Sequence, residues 1–155
     1  MRIIAHRSGP TVFPEQTIQS ARLAIENGAE MIELDVRLTK DGKIAVTHDE
    51  KLERVFGLDR SVRDITSLEF LALRHKNAPA FGSHLFEHYL ASHIAPLLIH
   101  IKEDDLIDVL LDLVEAYGYA EKVVFGVHST ELVSVIKRRN ATLRVLVQNM
   151  WFCRK

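Results

Sequence analysis

Short apolar runs predict six strands, over residues 2–7, 30–36, 43–49, 96–102, 122–127 and 142–148. Between them, apolar residues recur at helical spacing. Residues 17–28 put Ile18, Ala21 and Ile25 on one face and stop at Gly28. Residues 67–75 follow a capping box from Thr66 to Glu69. Residues 84–93 read as another helix. Residues 105–118 give the clearest one, with Leu106, Val109, Leu110, Leu113 and Tyr117 on one face and Gly118 as its stop. Residues 129–140 give the last. Gly9, Pro10 and Pro14 break residues 8–16 into a loop. Strands alternating with helices predict an α/β fold with a mainly parallel sheet.

One strand carries a conflict. Side chains alternate along a strand, so Ile32, Leu34 and Val36 share one face while Glu33 and Asp35 share the other. With helices over the apolar face, the carboxylates point into a barrel interior or a crevice. Two like charges that close need a cation or strong donors between them. Taken alone, the pair also fits a polar strand face bathed in water.

The following turn sharpens the choice. Asp41-Gly42 between two strand-like runs signals a two-residue hairpin, which sets Asp35 opposite His48. Six residues, Arg37 to Gly42, separate the runs, whereas a parallel crossover takes about a dozen or more. Either the pair is antiparallel or the strands run past the rim. Both arrangements gather the two carboxylates and an imidazole.

Other strand ends add to the set. His6-Arg7 closes the first strand and His48-Asp49 the third, and His100 and Lys102 share a face opposite Leu97, Ile99 and Ile101. Sites in parallel α/β folds collect at such ends. Glu33 and Asp35 offer hard oxygens to Mg²⁺ or Ca²⁺. Arg7 and Lys102 offer positive charge to a phosphate. His6 and His48 titrate near neutrality, so one can act as base and the other as acid. This set supports phosphodiester cleavage.

Composition narrows the field. The 155 residues are 47% hydrophobic and 26% charged, enough for one core and a single domain over residues 1–155. A net charge of −1 provides no broad basic field for nucleic acid. The only cysteine, Cys153, has no partner for a disulfide within the chain, which fits a cytoplasmic location. The first residues resemble neither a signal peptide nor an anchor, and no apolar run approaches the ~18 residues of a transmembrane segment.

The motifs resemble those of the glycerophosphodiester phosphodiesterase family. They are His6-Arg7-Ser8-Gly9, Pro14-Glu15-Gln16-Thr17, Gly28-Ala29, Ile32-Glu33-Leu34-Asp35-Val36, Thr39-Lys40-Asp41-Gly42 and His48-Asp49. Their order and spacing follow the family over residues 1–75, and the segments around residues 96–103 and 123–140 sit where its fourth and fifth strand regions belong. The resemblance implies a TIM-type (β/α)₈ barrel, a divalent metal, and hydrolysis of a glycerophosphodiester to glycerol 3-phosphate and an alcohol. By position, His6 and His48 match the acid/base pair. Glu33 and Asp35 match metal ligands, Arg7 a phosphate-contacting arginine, and Lys102 a lysine of the fourth strand. A lysophospholipid is a related substrate.

Four departures stand out. Ser8 replaces a glycine, which implies a shifted loop beside the phosphate. Gln16 replaces an asparagine. His100 replaces a glutamate that serves as the third metal ligand, and imidazole suits Mn²⁺ or Zn²⁺ better than Ca²⁺. Finally, a (β/α)₈ barrel takes ~250 residues, against 155 here. Six strands imply a barrel truncated at its C-terminal side, with open edges that recruit a second copy. The residues 149–155, with Trp151, Phe152 and Cys153, fit no element. The rival reading is a non-catalytic homologue that binds or oligomerises. His84, His88 and His93 fall in one predicted helix and read as a solvated face, and the basic end of the last helix complements its dipole.

Overall fold

The computed structural model describes residues 3–147. β1 (Ile4–Ala5) ends in a tight turn at His6–Ser8. α1 (Ile18–Glu26) starts at Thr17, whose hydroxyl accepts the Ser20 N–H at 3.2 Å. β2 (Met31–Leu38) and β3 (Ile44–Val46) form a hairpin. Two short helices follow, α2 (Glu53–Phe56) and α3 (Ser67–Ala72). The capping box at α3 is present: Thr66 N–H donates to Glu69 Oε2 at 2.7 Å, and Thr66 Oγ1 accepts from Glu69 N–H at 3.2 Å. β4 (Arg74–His75) and β5 (Ala78–Gly82) make a separate two-stranded sheet. Then come α4 (Phe86–Ser92), β6 (Leu97–Ile101), α5 (Ile107–Ala116), β7 (Val123–Val127), α6 (Thr130–Arg139) and β8 (Arg144–Val147).

All six predicted strand segments join one sheet in the order β1–β2–β6–β7–β8, with β3 also on β2. Ile32 pairs with both Ala5 and Leu97, and Val36 with both Val46 and Ile101. β1 and β3 therefore share one edge of β2, opposite β6. The five-strand path is parallel, and only β3 runs antiparallel. Among the described residues no ladder joins β8 to β1. This is an arc of a TIM-type (β/α) barrel.

The core lies between the sheet's outer face and its helices. Ile32, Leu34 and Val36 are each fully buried with Ala21 of α1, Phe86 and Leu90 of α4, Leu110 of α5 and Ile136 of α6. Ile99, Phe125 and Val127 extend this layer across the arc. A second cluster, Ala45, Leu52, Val62, Ile65, Phe70 and Leu85, sits under the segment between β3 and α4.

Several boundaries differ from the sequence reading. Residues 74–75 belong to β4 rather than to a helix: Leu73 turns to extended backbone, its N–H donating to Phe70 O at 3.0 Å, and His75 is buried where β4 pairs with Ala78. His84 precedes α4, His88 lies within it and His93 follows it, so the three do not share a helix. Residues 47–49 leave β3, and residues 6–7 leave β1. Gln148 and residues 149–155 lie outside the described residues.

The hairpin register also differs, by one residue. Val36 faces Val46, so Asp35 faces Thr47 rather than His48, and Thr47 N–H donates to Asp35 O at 3.0 Å. The loop holds three residues, Lys40 to Gly42. Thr39 N–H donates to Lys43 O at 2.8 Å and Gly42 takes φ +75°. Asp-Gly serves this type I turn plus bulge as readily as a two-residue turn. A Cβ on Gly42 would meet nothing within 4 Å, so only backbone strain opposes a side chain there. Gly42→Ala should therefore cost about 1 kcal/mol in urea unfolding, with an unchanged fold by circular dichroism.

Candidate active site

The apolar face of β2 is claimed by the helices, which turns Glu33 and Asp35 inward, 4% and 1% exposed. The parallel register of β2 with β6 sets Asp35 beside His100. His100 Nδ1 lies 3.2 Å from Asp35 Oδ1 and 3.9 Å from Glu33 Oε1. Lys102 Nζ stands 2.8 Å from Asp35 Oδ1 and 3.0 Å from His100 Nδ1. The water-bathed reading of the pair is thus overturned by its burial.

The turn after β1 reaches the same carboxylates. Arg7 N–H donates to Glu33 Oε2 at 2.6 Å, and Arg7 Nε lies 3.8 Å from Asp35 Oδ2. Arg7, Ser8 and Gln16 all have positive φ, at 49°, 66° and 58°. Ser8 therefore keeps the left-handed backbone that the replaced glycine would adopt freely. Its side chain is buried, with Oγ 3.1 Å from Tyr89 OH. A left-handed non-glycine residue costs roughly 1–2 kcal/mol, and a net hydrogen bond returns about 1 kcal/mol. Gln16 is buried, and its Nε2 donates to Asp35 Oδ2 at 2.8 Å. Its N–H donates to Arg7 O at 3.0 Å, tying the loop's two ends together.

Burial pushes the Glu33 carboxyl up, and the neighbouring Asp35 charge adds to the rise. Burial would raise Asp35 too, but His100 and Lys102 outweigh it and hold Asp35 well below the usual carboxylate range. The environment thus splits two like groups into a readily protonated and a firmly ionised one. His6 is lowered from its usual value, first by burial and then by the Arg7 charge; the charges of Asp35, His48 and Lys102 act on it as well.

His48 stands on the rim beyond β3. Its Nδ1 lies 2.7 Å from Asp49 Oδ1, and its backbone O accepts from Arg37 Nε at 3.0 Å. Arg37 also reaches Glu103 Oε1 at 3.0 Å, beside Lys102. Asp49 bonds Arg54, which forms a fork on Glu15 at 2.5 and 3.0 Å. Glu15 Oε2 lies 3.5 Å from Arg7 Nη1.

Sequence reasoning did not select Gln16, Glu15, Asp49, Arg54 or Arg37. Gln16, Glu15 and Asp49 stand inside motifs beside selected residues, which was the available signal. Nothing in spacing points to Arg54 or Arg37.

The residues fit a divalent cation. Ligand atoms of Glu33, Asp35 and His100 all lie within 4.8 Å of one another. Asp35 Oδ1 is buried with cationic neighbours close by, yet without a well-aligned hydrogen bond. Among the described residues this is the one such group of three. His84 and His88, with ring centres 6.0 Å apart, do not form another, and burial with the neighbouring imidazoles drives His84 down to about 4.

Known proteins share this fold. The model of the Glycerophosphoryl diester phosphodiesterase family matches residues 6–149. The chain is 40% identical over 102 residues to the Glycerophosphodiester phosphodiesterase of Bacillus altitudinis, covering 66% of this chain and 39% of that protein. It is 28% identical over 157 residues to the human Lysophospholipase D GDPD1, covering 92% of this chain and 50% of that protein. The crystal structure of glycerophosphodiester phosphodiesterase from Agrobacterium tumefaciens superposes with a TM-score of 0.83 and 27% identity, over 94% of this chain and 65% of that one. The chain spans about half the length of the curated relatives it matches. With a match over nearly all its described residues, the chain belongs to the glycerophosphoryl diester phosphodiesterase family.

Proposed function

We propose that this chain hydrolyses glycerophosphodiesters to glycerol 3-phosphate and an alcohol, and lysophospholipids at the same bond to acylated glycerol 3-phosphate and an alcohol. The observation that carries this reading is the meeting, at one barrel rim, of buried Glu33 and Asp35 with His100, Lys102 and Arg7. The names of the Bacillus and human relatives support both substrate classes.

Glu33, Asp35 and His100 would hold the divalent ion, Mg²⁺ or Ca²⁺ by the carboxylates, with Mn²⁺ or Zn²⁺ favoured by the imidazole. When bound, the ion supplies positive charge to the phosphoryl oxygens. Arg7 and Lys102 orient the phosphate. His6, held neutral by burial, accepts the proton of the attacking oxygen as that oxygen bonds to phosphorus. The P–O bond to the alcohol breaks, and His48 gives its Nε2 proton to the departing oxygen. Water supplies the atoms added overall. Glycerol 3-phosphate links the reaction to lipid and glycerol metabolism, and the lone cysteine supports a cytoplasmic setting.

The test is hydrolysis of bis(p-nitrophenyl) phosphate with added Mg²⁺, Ca²⁺, Mn²⁺ or Zn²⁺. His6→Ala and His48→Ala should each lower kcat by ~10²–10⁴-fold. The pH profile should be bell-shaped. Its acid limb should fall below pH 6.5, because His6 must lose its proton to act and its value lies beneath that. Unchanged turnover in His48→Ala would remove the acid/base assignment.

His100→Glu adds an anionic ligand where a neutral one stands. Calorimetry should show Mg²⁺ or Ca²⁺ binding at least about tenfold tighter, and equal or weaker binding would refute the ligand role. The β8 edge, with Leu146 and Val147 exposed, supports association between copies. Light scattering should return a species of twice the chain mass; a monomer at micromolar concentration would exclude it.

A further inference from the structure

The two histidines of the proposed reaction sit on separate loops, each outside the strand ladders. His6 lies on a turn of left-handed residues, and His48 lies beyond the last residue of β3. Imidazole acts at one nitrogen only if its tautomer and tilt are set. For the His48 ring, the side-chain contact that sets them is Asp49.

Among the described residues, Arg54 is the one side chain that bonds both Asp49 and Glu15. It bonds Asp49 through Nε. Through Nη1 and Nη2 it forks onto Glu15 at 3.0 and 2.5 Å. Asp49 in turn takes His48 Nδ1 at 2.7 Å, which fixes a proton on Nδ1 and turns Nε2 away from the carboxylate. Glu15 precedes Gln16, whose amide reaches Asp35, and lies 3.5 Å from Arg7. Both carboxylates are mostly sheltered, 17% and 26% exposed, so the pairs are screened less than open surface ones. Only a planar guanidinium can satisfy one carboxylate with a fork and a second with its remaining N–H.

We propose that Arg54 is a positioning residue that, through Asp49, keeps one proton on His48 Nδ1 so that the ring takes up and gives its second proton at Nε2, and that couples the imidazole to the Arg7–Gln16 loop. This rests on the acid/base role given to His48 above. Arg54 touches neither His6 nor the metal-ligand group. It acts through Asp49 and Glu15.

The alternative role is direct contact with substrate, since Arg54 also lines an open cleft of about 320 Å³ with Phe13, Glu15, His75 and Asn77. The two roles give different signatures. Imidazole ¹⁵N spectra of the chain would be recorded for the native protein, Arg54→Ala and Arg54→Lys, beside kcat and KM on bis(p-nitrophenyl) phosphate. Arg54→Ala should shift neutral His48 away from the Nδ1–H pattern. It should lower kcat about tenfold or more, part of the acid/base contribution, with KM within twofold. Arg54→Lys keeps the charge and loses the fork, so it should fall between the two; it decides the matter if Arg54→Ala does not fold. An unchanged His48 pattern in a folded variant, or a raised KM with unchanged kcat, would overturn the positioning role. A shifted pattern with unchanged kcat would uphold positioning and overturn the acid/base role of His48 instead.

Discussion

The burial of two carboxylates on one strand governs the rest of the site. β2 must bury Ile32, Leu34 and Val36 against the helices, and alternation then forces Glu33 and Asp35 inward. An unpaired buried carboxylate is costly enough to neutralise itself or unfold its surroundings. Asp35 avoids this by collecting Lys102, His100, Gln16 and Arg7 around its two oxygens. Glu33 takes one short hydrogen bond from Arg7 N–H and otherwise yields, its affinity for a proton raised. The two groups are therefore chemically unequal before any substrate or metal arrives.

Bringing donors to this point carries a conformational cost. Arg7, Ser8 and Gln16 sit in the left-handed region, at roughly 1–2 kcal/mol each. The same backbone aims Arg7 N–H at Glu33 and the Gln16 amide at Asp35, so these hydrogen bonds to buried carboxylates offset the strain. Gly9 completes the turn at φ +68°, where a Cβ would stand 3.0 Å from Ala24 Cβ. The loop is thus shaped by α1 on one side and by Asp35 on the other.

The parts of this design that follow from periodicity were legible in the sequence. Glu33 and Asp35 opposite an apolar triad, and His100 and Lys102 opposite Leu97, Ile99 and Ile101, needed only alternation. All six strand segments were legible for the same reason. The hairpin register was not, because Asp-Gly fits two loops that differ by one residue and so move every partner by one. The left-handed turn after β1 was not, because positive φ at Arg7 and Ser8 leaves no trace in residue type. The β4–β5 pair was hidden by Pro79 and a lack of alternation. The salt-bridge chain through Arg54 joins positions 39 residues apart in sequence, and only the folded loops bring them together.

The polarity of the inner face shows where the chemistry is concentrated. Across the sheet, Asp35 pairs with His100, His100 with Gly126, and Gly126 with Leu146. One row lower, Glu33 pairs with Leu98, and Leu98 with Val124. In both rows β6 and β7 bring no further carboxylate, and the next charged residue is Arg144 of β8, which donates to Glu121 O at 2.6 Å. Gly126 brings no side chain to the position paired with His100. Every group that answers the charge of Glu33 and Asp35 comes from the segment between Ile4 and Lys102. β7 contributes Val123, Phe125 and Val127 to the outer core instead, and β8 adds the half-buried Val145, with Leu143 just before it. The site is thus a property of β1, β2, β6 and the loops that β3 and α2 hold beside them, and the remaining strands stiffen the arc on which it is built.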